Sequence, residues 1–347
     1  MQKQLVVVTG GSGFIAIHII RQLLQQGYAV RTTVRALDKA PVIKEMLRNG
    51  GITDFSSLEI VVADLASDDH WPEVMAGATY TIDVASPTPK LNFKNKAEMI
   101  RPAVDGVRRV LAASRDAGVK RVVLTSAYGA IFAGHKHRTT PYTEEDWSHL
   151  DWKEIHPYQE SKTRAELAAW DFIQHDGRGL ELTTVNPVAV MGPVLSAKYS
   201  HSNIQIQQFL EGQVKAVPNV DSGYVDVRDV ASLHLLAMTA PQANGERFLA
   251  TTGETLSMLD VANILRESLP AFASQLPTKT IPNAVVKLAA KARPDLRMVA
   301  SSLVGTYAGT SNHKAQTLLD WHPRPAAESI IATAQSMIDL GIVKAPH

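Results

Sequence analysis

Tyr158 and Lys162 stand four positions apart in the run His156-Pro157-Tyr158-Gln159-Glu160-Ser161-Lys162. Pro157 suits the first turn of a helix, and on a helix the phenol and the ammonium share one face. A free phenol has a pKa near ~10 and exchanges protons poorly at neutral pH. A neighbouring ammonium favours the phenolate and lowers that value, which makes proton exchange with a carbonyl or alcohol oxygen feasible. The lysine can also donate a hydrogen bond to a nicotinamide ribose. The same spacing equally describes a tyrosine packed by its ring beside a solvated lysine.

A second constellation precedes it. Gly10, Gly11, Gly13 and Ala16 follow the apolar run 5–8 and open a helical stretch at Phe14 and Ile15, satisfying both G-x-x-G-x-x-A and G-x-G-x-x-A. One glycine permits the sharp strand-to-helix turn, another lets the backbone approach a pyrophosphate, and the third small residue lets the helix pack on the sheet. The anion is favoured at the helix N-terminus by unpaired N–H groups and the dipole. A tight turn without a ligand would use the same residues, but the position after a first strand favours a dinucleotide. The residue closing the second strand separates NAD from NADP. Here it is Arg35, with Lys39 a helical turn on, and two cations suit a 2′-phosphate. Asp38 between them counts the other way. Asp64 and Leu65 close the third strand, where an adenine can be bracketed, although an aspartate there also serves as a turn residue.

These groups need a scaffold. Short β-branched runs at 5–8, 29–35, 58–62, 80–85, 121–125 and 182–185 alternate with helical stretches, among them 14–26 and a long segment 96–117 interrupted by Pro102. The spacing demands crossover connections, hence an α/β fold with a doubly wound parallel sheet of Rossmann type. Beyond Met191 the rhythm gives way to loops and helices such as 257–268 and 326–340, which reads as a smaller, mostly C-terminal α/β substrate domain. The expected division is 1–187, with 222–240 returning to it, against 188–221 and 241–347.

Composition narrows the classes. The 347 residues are 45 % hydrophobic and 20 % charged, ordinary globular proportions. The 35 Lys+Arg against 34 Asp+Glu leave +1, without the basic excess of a nucleic-acid binder. The absence of cysteine excludes a disulfide scaffold, a thiolate zinc site and a cysteine nucleophile. His135 and His137 lack a matching carboxylate, so no metal is expected. The run 5–8 is too short for a signal peptide, and no run approaches a membrane span. The expectation is a cytoplasmic protein, monomer or homodimer, acting on a small molecule.

With both motifs in place, the chain resembles the extended short-chain dehydrogenase/reductase superfamily, and within it the dihydroflavonol 4-reductase-like branch of carbonyl and aldehyde reductases. The resemblance runs through 9–16, 30–35, Asp64-Leu65, Val84-Ala85-Ser86-Pro87, 121–126, Glu144-Glu145-Asp146-Trp147, the Tyr158 to Lys162 run, Asn186-Pro187, Gly192-Pro193 and 225–230. It implies that Gly10, Gly13, Phe14 and Ile15 contact the pyrophosphate and that Arg35 and Lys39 hold the 2′-phosphate of NADP(H). It further implies that Asp64 and Leu65 lie at the adenine and that Val84, Ala85 and Ser86 line the nicotinamide side. Pro187 and Val188 would adjoin the carboxamide, with Ser202 a further cofactor contact. Tyr158 would donate the proton in reduction and Lys162 modulate it.

Two positions depart from the pattern. The resembling enzymes carry Ser-Ser after the fifth strand, the second serine binding the substrate oxygen; here the pair is Ser126-Ala127, so Ser126 is the nearest candidate hydroxyl. Asp83 stands where the branch tends to have histidine, and an acid in an apolar strand needs a partner. Three readings follow: an NADPH-dependent reductase of an aldehyde or ketone, an NAD(P)-dependent hydroxysteroid dehydrogenase or nucleotide-sugar epimerase or dehydratase, and an NADP-binding sensor without turnover. Arg35 argues against NAD preference, and retention of Tyr158 with Lys162 argues against the sensor.

Overall fold

The computed structural model describes residues 3–86, 95–135, 138–197, 199, 201–292 and 308–344. Pro87 and His137 therefore lie outside the described residues. The strands are β1 (Leu5–Val8), β2 (Ala29–Val34), β3 (Leu58–Val62), β4 (Tyr80–Asp83), β5 (Arg121–Thr125), β6 (Glu181–Pro187), β7 (Ala189–Met191), β8 (Ala216–Pro218), β9 (Asp221–Asp226), β10 (Arg247–Ala250), β11 (Thr255–Ser257) and β12 (Lys279–Ile281). The helices that matter for the site are α1 (Phe14–Gln25), α2 (Ala40–Asn49), α3 (Trp71–Met75), α4 (Ala97–Asp116), α5 (Pro157–Asp176), α6 (His201–Leu210) and α7 (Val227–Thr239).

Among the described residues the main sheet has seven strands in the order β10-β6-β5-β4-β1-β2-β3. Every pairing in it is parallel. The chain leaves β1 toward β2 and β3, then returns to β4 on the opposite side. That reversal opens a crevice beyond the strand C-termini, where ligands of such sheets bind. Both faces are covered, and β1 shows how. Val6 and Val8 point into one hydrophobic core and Val7 into the other. A continuous apolar strand is what a sheet buried on two sides requires. Trp71, Val110, Leu111, Val122 and Leu182 fill the core that Val7 enters. Ile17, Ile20, Val230 and Leu233 pack α1 and α7 over the other face.

Two expectations are corrected. Pro102 does not interrupt the long helix, which runs as one element from Ala97 to Asp116; one missing N–H in its second turn is outweighed by the packing of its apolar face. The strand at 247–250 belongs to the main sheet, where Phe248 pairs with Val185, rather than to the smaller part. Of the segment 222–240, only α7 covers the main sheet, while β9 pairs with β7 and β11 in a separate three-stranded sheet. Four residues, Arg-Phe-Leu-Ala, carry too little pattern to declare which sheet they join.

One buried cation fastens α7 to the sheet. Arg121 Nη1 donates to the carbonyls of Ala237 at 2.8 Å and Ala240 at 2.6 Å, and its Nε donates to Glu181 at 2.7 Å. A guanidinium at a helix C-terminus satisfies carbonyls that have no intrahelical partner.

Candidate active site

The turn after β1 is built for close approach. Gly10 has φ +72, and a Cβ there would lie 3.1 Å from the Ala85 Cβ. At Gly11 a Cβ would lie 2.3 Å from Thr32 Oγ1. Gly13 is the N-cap of α1, offers no capping side chain, and is followed by no acid in the first turn. The helix end at Phe14 and Ile15 thus presents its N–H groups and positive dipole to the crevice, with no acidic side chain in its own first turn to neutralise them. Those features fit a dinucleotide pyrophosphate.

Arg35 is exposed directly after β2, and Lys39 pairs with Asp38 at 2.7 Å on the next turn. Asp64 is also exposed, and its Oδ1 accepts the Ala66 N–H at 3.0 Å as in an Asx turn. Leu65 packs against Gly106 of α4. Replacing Arg35 by glutamate is expected to weaken NADPH binding by about 1–3 kcal/mol, the worth of a charge-assisted hydrogen bond, while NADH changes far less. Equal losses for both nucleotides, measured by fluorescence titration, would refute the 2′-phosphate role.

Thr9 ties the glycine turn to the end of β4. Its Oγ1 accepts the N–H groups of Val84 at 3.0 Å and Ala85 at 2.8 Å, and its proton goes to Asp83 Oδ1 at 2.6 Å. Val84 and Ala85 are half-buried there, and Ser86 is exposed.

The Tyr158 helix starts as the sequence requires. His156 caps it by accepting the Tyr158 N–H on Nδ1 at 3.2 Å, while Gln159 Oε1 accepts the His156 N–H at 3.2 Å. Pro157 occupies the first turn. The Tyr158 ring lies over the short turn Tyr128–Ala130, since a Cβ on Gly129 would be 3.7 Å from its Cε1. Lys162 Nζ donates to the Thr125 carbonyl at 3.3 Å. The two side chains therefore bracket the C-terminal end of β5, just where Ala127 follows.

Electrostatics differ from the simple expectation. Burial pushes the Tyr158 phenol above its ordinary value, opposite to the direction an ammonium alone would give. Burial likewise lowers Lys162, opposed by the charges of Asp83 and Glu166. Asp83, 1 % exposed, is pushed up to about 7 by burial, with the Thr9 hydrogen bond and the Lys162 charge pulling the other way.

Ser126 is not available as the missing donor. Its single proton goes to Glu166 Oε2 at 2.5 Å in a fully buried network. The same carboxylate accepts from Asn186 Nδ2 at 2.8 Å, Thr184 Oγ1 at 3.1 Å and Arg247 Nε at 2.6 Å. Sequence reasoning missed this hub, although Glu166 continues the Tyr158–Lys162 face by one more helical turn. Asn186 leads into Pro187 and Val188, both buried, and Val188 N bonds the Ala250 carbonyl at 3.1 Å. Ser202 is half-buried in the first turn of α6.

The sheet order, the glycine turn and the crevice define a dinucleotide-binding fold of Rossmann type. The chain belongs to the NAD dependent epimerase/dehydratase family, whose model matches residues 6–250. It is 35 % identical over 296 residues to the ketoreductase azaE of Aspergillus niger, covering 80 % of this chain and 86 % of that one. It is 34 % identical over 283 residues to cinnamoyl-CoA reductase 1 of Petunia hybrida, covering 80 % of each. The crystal structure of the yeast methylglyoxal/isovaleraldehyde reductase Gre2 complexed with NADPH superposes with a TM-score of 0.81 at 28 % identity, covering 98 % of this chain and all of that one.

Proposed function

We propose that the protein is an NADPH-dependent reductase that converts an aldehyde or ketone to the alcohol. The observation that carries this reading is the placement of Tyr158 and Lys162 at the end of β5, beside a glycine turn shaped for a pyrophosphate. Gly10, Gly13, Phe14 and Ile15 would hold that pyrophosphate, Arg35 and Lys39 the 2′-phosphate, and Asp64 and Leu65 would adjoin the adenine. Val84, Ala85, Ser86, Pro187, Val188 and Ser202 complete the cofactor contacts in this reading. Bound NADPH supplies the hydride. Tyr158 supplies the proton, and its raised value keeps it protonated through neutral pH, the state a donor needs. The Lys162 ammonium stabilises the phenolate left behind. In the same reading the protein works in the cytoplasm; among the described residues no helix is long and apolar enough to cross a membrane.

A panel of aldehydes and ketones assayed with NADPH and NADH, followed at the nicotinamide absorbance band, tests the proposal. Consumption of NADPH with none of them would sink it. Ala127 offers no hydroxyl to the substrate oxygen, so Ala127→Ser is expected to raise kcat roughly tenfold by adding a donor to the developing oxyanion. An unchanged kcat with unchanged thermal stability would show that the position does not face the substrate.

A further inference from the structure

Asp83 sits at the end of β4, one strand away from the Thr125 carbonyl that holds Lys162. Its carboxyl cannot rotate freely. Thr9 Oγ1 has both lone pairs taken by the Val84 and Ala85 N–H groups, so its proton must go to Asp83 Oδ1. Asp83 is therefore fixed in place, buried, and within the field of the Lys162 ammonium. On α5 the same ammonium is flanked by Tyr158 and Glu166. The other groups around it are accounted for. Arg247 from β10 is paired with Glu166 at 2.6 Å. His234 from α7 meets Thr125 Oγ1 at 2.8 Å through Nε2 and is neutral, lowered to about 4 by burial.

We infer that Asp83 is a positioning residue for proton transfer: its carboxyl, fixed by Thr9 beside the cofactor crevice, determines how far into alkaline conditions Lys162 keeps its charge beside Tyr158. The inference rests on the reductase reading for its kinetic consequence but not for its physical content. Asp83 and Lys162 are coupled, so each biases the other's protonation by the same free energy. Below neutrality Asp83 is protonated and gives the ammonium little support. Above it the carboxylate offsets the desolvation of Lys162, and the ammonium persists where the phenolate needs it.

Two measurements test this. In Asp83→Asn the amide oxygen still accepts from Thr9, but no charge develops. The ratio of variant to wild-type kcat for carbonyl reduction is expected to fall severalfold between pH 6 and pH 9, because the wild type alone gains a carboxylate beside Lys162 as Asp83 ionises near its value of about 7. A purely structural role lowers kcat by the same factor at every pH, and a constant ratio overturns the inference. The second measurement needs no turnover. Carbon-13 NMR of labelled aspartate carboxyls is expected to show one resonance titrating near the value of about 7, lost in Asp83→Asn and moved upward in Lys162→Met. An Asp83 midpoint that is the same in Lys162→Met overturns the coupling. Should the wild type reduce no carbonyl at any pH, the reductase reading fails alone, and the NMR titration still decides the coupling.

Discussion

Tyr158→Phe is expected to lower kcat for NADPH-dependent carbonyl reduction by about 10²–10⁴-fold, the usual worth of a positioned general acid. The substitution is conservative in shape. The ring keeps its place over Gly129, and the capping by His156 uses only the backbone N–H of residue 158. What disappears is the one proton that the site can deliver from this position, and neighbouring hydroxyls do not replace it. Ser126 is committed to Glu166, Thr125 Oγ1 is bonded to His234, and position 127 is alanine. NADPH affinity is expected to stay within about twofold, because the cofactor contacts assigned above are mostly backbone and charged groups on other elements. A kcat within about threefold of wild type, with substrate and cofactor saturating, would assign the proton to another donor.

The largest effect on stability is expected at Arg247. Its Nε is bonded to Glu166 at 2.6 Å, its Nη1 donates to the Glu144 and Asp146 carbonyls, and its guanidinium lies 3.6 Å from the centroid of the Trp147 ring. Arg247→Met fills similar space but strips the directly bonded cation from a fully buried carboxylate, which costs about 3–5 kcal/mol when one partner of a buried pair is removed. Urea denaturation reads this as a lower midpoint with an unchanged slope. Adding Glu166→Leu is expected to recover part of the loss, because the uncompensated charge is then gone. A single-variant loss below about 1 kcal/mol would mean that Ser126, Asn186 and Thr184 suffice to hold the carboxylate.

Features that depend on neighbours in sequence were legible in the chain itself. The glycine turn, the alternation of strands and helices, and the Tyr158–Lys162 face are all local patterns, and the helix start at Pro157 follows from the same rules. Features that depend on distant partners were not. Nothing in the run around Asp83 names Thr9, which reaches it from another strand, and nothing around Ser126 names Glu166 forty positions on. The direction of the Tyr158 shift belongs with these: adjacency to Lys162 is visible in the sequence, whereas the depth of burial that raises the phenol is set by the whole surrounding fold.

The first helix finishes its packing late in the chain. Gln22 on α1 donates to the Arg228 carbonyl at 2.7 Å, His18 contacts the Pro193 carbonyl at 3.0 Å, and the outermost strand beside β6 begins only at Arg247. During synthesis, then, the part of the earliest helix that packs against α7 waits uncovered until about two hundred further residues have left the ribosome. Nascent chains stalled before that point carry exposed greasy surface and an unpaired strand edge, the combination that recruits chaperones and invites aggregation. Truncations ending short of residue 250 should accordingly partition into the insoluble fraction, however intact their nucleotide motif.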